Sequence, residues 1–203
     1  MSEPVDLAYL NGMYAAGADP WQIEASWYER RKRELVLACL PAERYASGFE
    51  PGCAGGALTE RLAGRCDRLL AADLSEVAVR ACGDRLRGQP QVQVRRLLLP
   101  GDWPAGIEFD LVLLSELGYF FHRDSWHQLC VRVAASLSAR ATVLACHWRH
   151  DFAERTMPTP DLHAELDATL GLTRLSSLLD ADFVIDVWTS SGHSVAEQDG
   201  LTG

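Results

Sequence analysis

No stretch of the 203 residues approaches the ~18 consecutive apolar residues that a membrane-spanning helix needs, so no membrane span is expected. The opening segment, MSEPVDLAYLNG, is acidic and lacks both a basic start and a long apolar core, which argues against a secretory signal. Paired cysteines are missing as well. Cys39, Cys53, Cys66, Cys82, Cys130 and Cys146 occur singly, and no two His or Cys at ligand spacing lie near a third. Neither a disulfide framework nor a metal site is therefore expected, and buried thiols of a cytoplasmic protein are the simpler reading. Positive charge is scarce. Nineteen Lys and Arg face 28 Asp and Glu, a formal net charge of -9, which disfavours nucleic acid as a partner. The one basic cluster, ERRKRE from Glu29 to Glu34, is interrupted by acids and reads as a solvated helix face. Internal repeats and low-complexity tracts are absent too.

What is present, 48% hydrophobic and 23% charged residues, reads as one globular domain that needs no covalent staple. Residues 1–18 read as an N-terminal lead, 19–41 as a helix, 42–189 as the core and 190–203 as a loose tail. Asp19-Pro20-Trp21 has the chemistry of a helix start, a capping carboxylate followed by proline in the first turn. Apolar residues recur at helical spacing from there to Leu40, where Pro41 stops the helix. Strands are predicted at about 46–50, in RLLAAD, in VQVRRL, in the continuous apolar run FDLVLLSE, in ATVLACHW, and in the terminal pair LTRLSSLL and DFVIDVWT. Helices fall at about 57–63 with Gly64 behind, from the cap Ser75 to Leu86, at about 124–137, and in TPDLHAELDATL. Alternation of strand and helix predicts an α/β fold, a three-layer sandwich around a seven-stranded, mostly parallel sheet. The last two strands have no helix between them, so one must run antiparallel.

In such a sheet, ligands bind beyond the carboxyl ends of the strands, where the strand order reverses. The stretch after the first strand, Glu50-Pro51-Gly52-Cys53-Ala54-Gly55-Gly56, supplies a near-bare turn there. Glycine lets the backbone bend sharply and approach a ligand closely, and the following helix offers free N–H groups. Asp73 closes the second strand roughly twenty residues on, the offset at which a carboxylate meets the hydroxyls of a ribose. The dinucleotide pattern GxGxxG would need glycine at Ala54 and Ala57, so a nicotinamide cofactor is disfavoured. The spacing acid-x-Gly-x-small-x-Gly resembles the loop of class I S-adenosylmethionine-dependent methyltransferases instead.

Closer still, YERRK, FEPGCAGGALTERLAGRCDRLLAADLS, WPAGIEFDLVLLSELGYFF, CHWRH and DFVIDVW resemble the nodulation protein S family of those enzymes, from Asp19 to Trp188. The resemblance implies the Rossmann-like class I methyltransferase fold and S-adenosylmethionine as methyl donor. The best-known members N-methylate the free amine of a deacetylated chitooligosaccharide, so a small-molecule or oligosaccharide acceptor is implied. The resemblance also assigns residues. Glu50, Gly52, Cys53 and Gly56 fall in the cofactor loop, Asp73 at the ribose, Leu74 on the adenine face, and Leu98 and Leu99 beside the adenine. Trp21, Tyr28 and Lys32 match the N-terminal helix, where spacing puts Tyr28 and Lys32 on one face, and this helix is expected to close over the cofactor.

Ser115 and Glu116 end the fourth strand, where the methyl group should emerge. An amine acceptor must lose a proton before attack; Glu116 is the first candidate to orient or deprotonate it, and His147 the second. Tyr119 is placed in the pocket wall. Arg149 and His163 are expected to hydrogen-bond a hydroxylated acceptor. An O-methyltransferase of a small hydroxylated metabolite and a non-catalytic S-adenosylmethionine-binding protein remain the alternatives.

Overall fold

The computed structural model describes residues 12–13, 19 and 22–202. Seven strands alternate with helices: α1 (Trp27–Cys39), β1 (Gly48–Pro51), α2 (Ala57–Ala63), β2 (Leu69–Asp73), α3 (Glu76–Arg85), β3 (Val92–Arg96), β4 (Phe109–Ser115), α4 (Arg123–Ala135), β5 (Leu137–Trp148), α5 (Thr159–Thr169), β6 (Thr173–Leu179), β7 (Phe183–Thr189) and α6 (Val195–Gln198). A 3-10 turn, Gly118–Phe120, joins β4 to α4. The strands form one sheet in the order β3-β2-β1-β4-β5-β7-β6. Neighbours pair in parallel from β3 to β5, and β7 runs antiparallel to both β5 and β6. A hairpin without a helix leaves β7 no other direction.

Both faces of the sheet are covered, and the period of two sorts its side chains. Val112 and Leu114 of β4 join Phe49, Trp126, Val143 and Trp188 in one core. Leu111 and Leu113 point the other way, onto Leu144, Ile185, Val187 and the α1 residues Val36 and Leu37. β1, paired between β2 and β4, is buried at all four positions. The loops following β1, β2 and β4 therefore meet at one edge, on either side of the reversal between β1 and β4. Among the described residues no helix is long and apolar enough to cross a membrane.

Three boundaries differ from the sequence expectation. The first helix starts at Trp27 rather than near Asp19, because Ser26 is its cap and accepts the Glu29 N–H at 3.5 Å. Asp19 does accept backbone amides, those of Ile23 at 2.7 Å and Glu24 at 3.0 Å, but they belong to a separate turn. That turn cannot run into the helix directly, since Gln22 adopts φ 54°. β5 begins at Leu137, earlier than predicted, where α4 has ended at Ala135. The segment after Ser190, expected to be loose, contains the short helix α6, closed by a reciprocal capping box of Ser194 and Glu197.

Candidate active site

A cavity of about 260 Å³ opens beyond the carboxyl ends of β1, β2 and β4. Of the sequence-predicted site residues, Lys32, Glu50, Gly52, Cys53, Asp73, Leu74, Leu98, Leu99, Ser115, Glu116 and Tyr119 line it. Trp21 lies outside the described residues. Tyr28, Gly56, His147, Arg149 and His163 are not in its wall.

The loop after β1 is fixed by hydrogen bonds to β2: the N–H groups of Gly52 and Cys53 both donate to the Ala72 carbonyl, at 2.7 and 2.9 Å. Three of its residues take left-handed backbone angles, Gly52 at φ 79°, Ala54 at 48° and Gly56 at 81°. The Asp73 carboxylate accepts the Ala54 N–H at 3.0 Å with one oxygen and the Ser75 N–H at 2.9 Å with the other. It thus ties the turn after β1 to the turn after β2 while facing the cavity. Burial pushes the Asp73 carboxyl up, and the two amide donors oppose that shift.

Gly56 has a different place from the one assigned to it. It caps α2, and a Cβ there would lie 2.8 Å from Cys82 Sγ and 3.2 Å from the Cys82 Cα, so it lets α2 and α3 approach closely. Gly56→Ala combines this overpacking with an unfavourable φ and should cost roughly 1–3 kcal/mol, read as a lowered Tm in thermal unfolding.

Glu50 sits at the floor, 3% exposed, with Oε2 meeting no partner among the described residues. Burial lifts its pKa to about 8. An orphaned, buried carboxylate oxygen at a cavity wall is a strong reason for a cation to occupy that cavity.

The far wall is an ion cluster built on Lys32, the sole lysine of the chain. It is buried, with Nζ 2.9 Å from Glu29 Oε1, 3.2 Å from Glu116 Oε1 and 4.9 Å above the Tyr28 ring. Burial alone would lower the Lys32 pKa, but the two carboxylates outweigh it and hold the ammonium above its usual range. Tyr28 packs edge-on against Trp148 at 5.4 Å and Phe183 at 6.1 Å, and its buried hydroxyl has no partner among the described residues. It supports Lys32 from behind the wall rather than meeting the cavity.

Glu116 takes φ 57°, a strained angle for a non-glycine residue, directly at the tip of β4. Its Oε2 accepts the Tyr119 hydroxyl and the Trp148 N–H at 3.3 Å, while Oε1 meets Lys32. Glu29 is the residue sequence reasoning missed. It was read with the solvated face of ERRKRE, yet it lines the cavity, uses Oε1 on Lys32, and leaves Oε2 without a donor among the described residues. Burial raises its pKa, opposed mainly by Lys32. The available signal was its spacing of three from Lys32, which puts both on one helix face.

His147 was the second candidate base. It is fully buried, its Nε2 accepts the Gly118 N–H at 3.0 Å, and burial pushes its pKa well down, so it has no lone pair free to face an acceptor. His163 is buried behind it, with Nε2 3.0 Å from His147 Nδ1. Arg149 spends its guanidinium on the carbonyls of Asp180 and Ala181, at 2.7 and 3.1 Å. Arg149 and His163, expected to meet the acceptor, lie outside the cavity wall and make these contacts within the fold. Over the cavity lies the turn ahead of α1: Ile23 and Glu24 line it, and Glu24 pairs with Arg85, which also donates to the Gly55 carbonyl at 2.8 Å.

Comparison with known proteins agrees with this fold. A Rhizobium tropici Nodulation protein S is 30% identical over 109 residues, 52% of this chain and 44% of that protein. The chain spans about half the length of the curated relatives it matches. Among solved structures, a Pseudomonas syringae protein described provisionally as a methyltransferase is 43% identical, with a TM-score of 0.72 over 81% of this chain and 99% of that one. The N-methyltransferase NodS from Bradyrhizobium japonicum WM9, solved with S-adenosyl-L-homocysteine, shares the fold at a TM-score of 0.80 and 20% identity, over 90% of this chain and 96% of that one. The fold is thus the Rossmann-like one of class I methyltransferases, and the family described as Nodulation protein S (NodS) matches residues 10–145. The chain belongs to the Nodulation protein S family.

Proposed function

We propose that the chain is an S-adenosylmethionine-dependent methyltransferase that acts on the amine nitrogen of a small acceptor. The observation that carries this reading is the charge of the cavity. Six carboxylates, Asp19, Glu24, Glu29, Glu50, Asp73 and Glu116, line it against Lys32 and Arg33, and one of the six keeps a buried oxygen unpaired. Such a wall favours a cationic nucleoside and an acceptor that arrives as an ammonium. S-Adenosylmethionine, when bound, supplies a methyl group on a positively charged sulfur. Gly52 and Cys53 would hold its amino-acid end, Glu50 its positive charge, Asp73 its ribose, and Leu74, Leu98 and Leu99 its base.

The chain's own residues then orient an amine and take its proton. Every oxygen of Glu116 already accepts a protein donor, so this carboxylate orients and stabilises the cation rather than serving as a free base. The open Oε2 of Glu29, held up in pKa by burial, takes the proton that the ammonium must lose before its nitrogen attacks. Tyr119 and Phe120 shape the acceptor side. This activity is assigned to the cytoplasm, and an amino sugar is the first acceptor to test.

Labelled S-adenosylmethionine offered with a panel of amines and alcohols separates the possibilities. Label in amines supports the reading, label in alcohols alone replaces it with O-methylation, and binding without turnover on any acceptor leaves a carrier of the nucleoside. Independently, Asp73→Asn should weaken S-adenosylhomocysteine binding about tenfold by calorimetry, the value of a charged hydrogen-bond acceptor. An unchanged dissociation constant would remove the ribose assignment.

A further inference from the structure

We infer that the buried series Asp186–His163–His147 is a positioning device for the acceptor side of the cavity, acting through the turn Gly118–Phe120. The role in turnover rests on the methyltransferase reading above; the structural part does not. The three residues come from β7, α5 and β5, and none lines the cavity. His163 Nδ1 lies 2.6 Å from Asp186 Oδ2, His163 Nε2 lies 3.0 Å from His147 Nδ1, and His147 Nε2 accepts the Gly118 N–H at 3.0 Å.

The ends of this chain settle its protons. A backbone amide can only donate, so His147 Nε2 is bare and the hydrogen sits on Nδ1. That hydrogen is donated to His163 Nε2, which places the second hydrogen on His163 Nδ1, pointing at the carboxylate. The hydrogen-bond pattern thus allows one tautomer for each ring. At the far end Asp186 also accepts the Ser177 hydroxyl, and Arg174 Nη1 lies 3.8 Å away. Burial would raise the Asp186 pKa, but His163 and Ser177 donate strongly enough to hold it below its usual value. Burial disfavours protonation of His147 most, and a proton on the adjoining His163 ring or the charges of Arg155 and Lys32 would disfavour it further.

Three polar side chains drawn from three elements are thus buried to satisfy one amide. That is costly unless the position of the amide matters. The turn it belongs to is held flush against the ring: a Cβ on Gly118 would lie 2.8 Å from His147 Nε2, 3.0 Å from Trp126 and 3.1 Å from Leu162. The next residue is Tyr119, whose ring meets His147 edge-on at 5.6 Å and whose hydroxyl donates to Glu116. From the other side Thr156 N–H donates to the Tyr119 carbonyl at 2.9 Å. The series therefore sets where Tyr119 stands, and with it one of the donors that fixes the Glu116 carboxylate.

The test compares His147→Leu, which leaves the Gly118 amide without an acceptor, with His147→Gln, whose side-chain carbonyl can accept it, and with Asp186→Asn, which keeps the shape at the far end. His147→Leu should keep S-adenosylhomocysteine affinity within about threefold, lose kcat on the panel amine by on the order of 10- to 100-fold, and speed exchange of the Gly118 amide. His147→Gln should recover most of both, and Asp186→Asn should fall between. With 13C-labelled tyrosine, the Tyr119 Cζ resonance should move in His147→Leu and return in His147→Gln. This readout needs no acceptor, so it stands if the panel shows no turnover and the methyltransferase reading fails. If His147→Leu does not fold, Asp186→Asn carries the same resonance test. An unmoved Tyr119 signal in the folded variants, or equal losses in Leu and Gln variants, would overturn the proposal.

Discussion

Lys32→Met should cut methyl transfer by about 100- to 1000-fold while the sheet remains folded, since the buried cation it removes is shared by two partly buried carboxylates. Methionine reproduces most of the side chain's length and its packing on the Tyr28 ring, so the change isolates the charge. With the ammonium gone, Glu29 loses the strongest influence that lowers its pKa and keeps the burial that raises it. A proton then binds where the proposed base should be empty. The sign follows: activity fails on the acid side, and the acid limb of the pH-rate profile moves to higher pH in the variant. Removing the cation leaves the partly buried Glu29 carboxylate uncompensated, so Tm should fall, least at low pH where protonation of Glu29 relieves it. Lys32→Arg should rescue only in part, because a planar fork cannot place one nitrogen between two carboxylates as a compact ammonium does. Turnover unaffected by Lys32→Met, or a pH profile left where it was, would show that the cluster has no part in catalysis.

The scaffold of this site was legible because it depends on local pattern. Apolar runs of strand length, glycines where the backbone must turn left-handed, and an acid at the tip of β2 each have a cause within a few residues. Gly52, Asp73 and Glu116 could be placed at strand ends from the sequence, and the fold puts them on one cavity. What stayed illegible depends on register and competition. Asp19 and Ser26 are both good caps, and only the backbone angle at Gln22 decides that the helix belongs to Ser26. His147 and His163 lie sixteen residues apart, and Asp186 a further twenty-three, so their meeting depends on how α5 packs against β5 and β7. Read singly, His147 was a second candidate base at a strand end, His163 an acceptor contact, and Asp186 one residue of a strand. The surroundings of Arg149 were hidden for a related reason: which carbonyls lie beside a guanidinium depends on the fold, and here those of Asp180 and Ala181 accept from it.

The second large effect concerns Glu50 and links binding to proton release. In the empty protein its pKa of about 8 leaves it mostly neutral at pH 7. A cation entering the cavity favours the carboxylate, so binding should expel close to one proton per site at pH 7, and none well above pH 8. Calorimetry of S-adenosylmethionine in buffers of differing ionisation heat reads that number directly. Affinity should therefore rise as pH rises from the carboxylate range toward 8 and level off beyond it. Glu50→Gln keeps the shape and removes both the charge and the proton, so affinity should fall on the order of 100-fold above pH 8 and lose its pH dependence. Stability of the empty protein carries the opposite sign. The folded pKa exceeds the ordinary carboxylate value, so this group contributes stability at low pH and loses it as pH climbs through 8; the difference between wild type and Glu50→Gln should shrink over that span. A solvent-exposed carboxylate would bind a cation with no proton exchange at pH 7, so a release number of zero would place Glu50 in water and deprive the cavity of its strongest claim on a positive ligand.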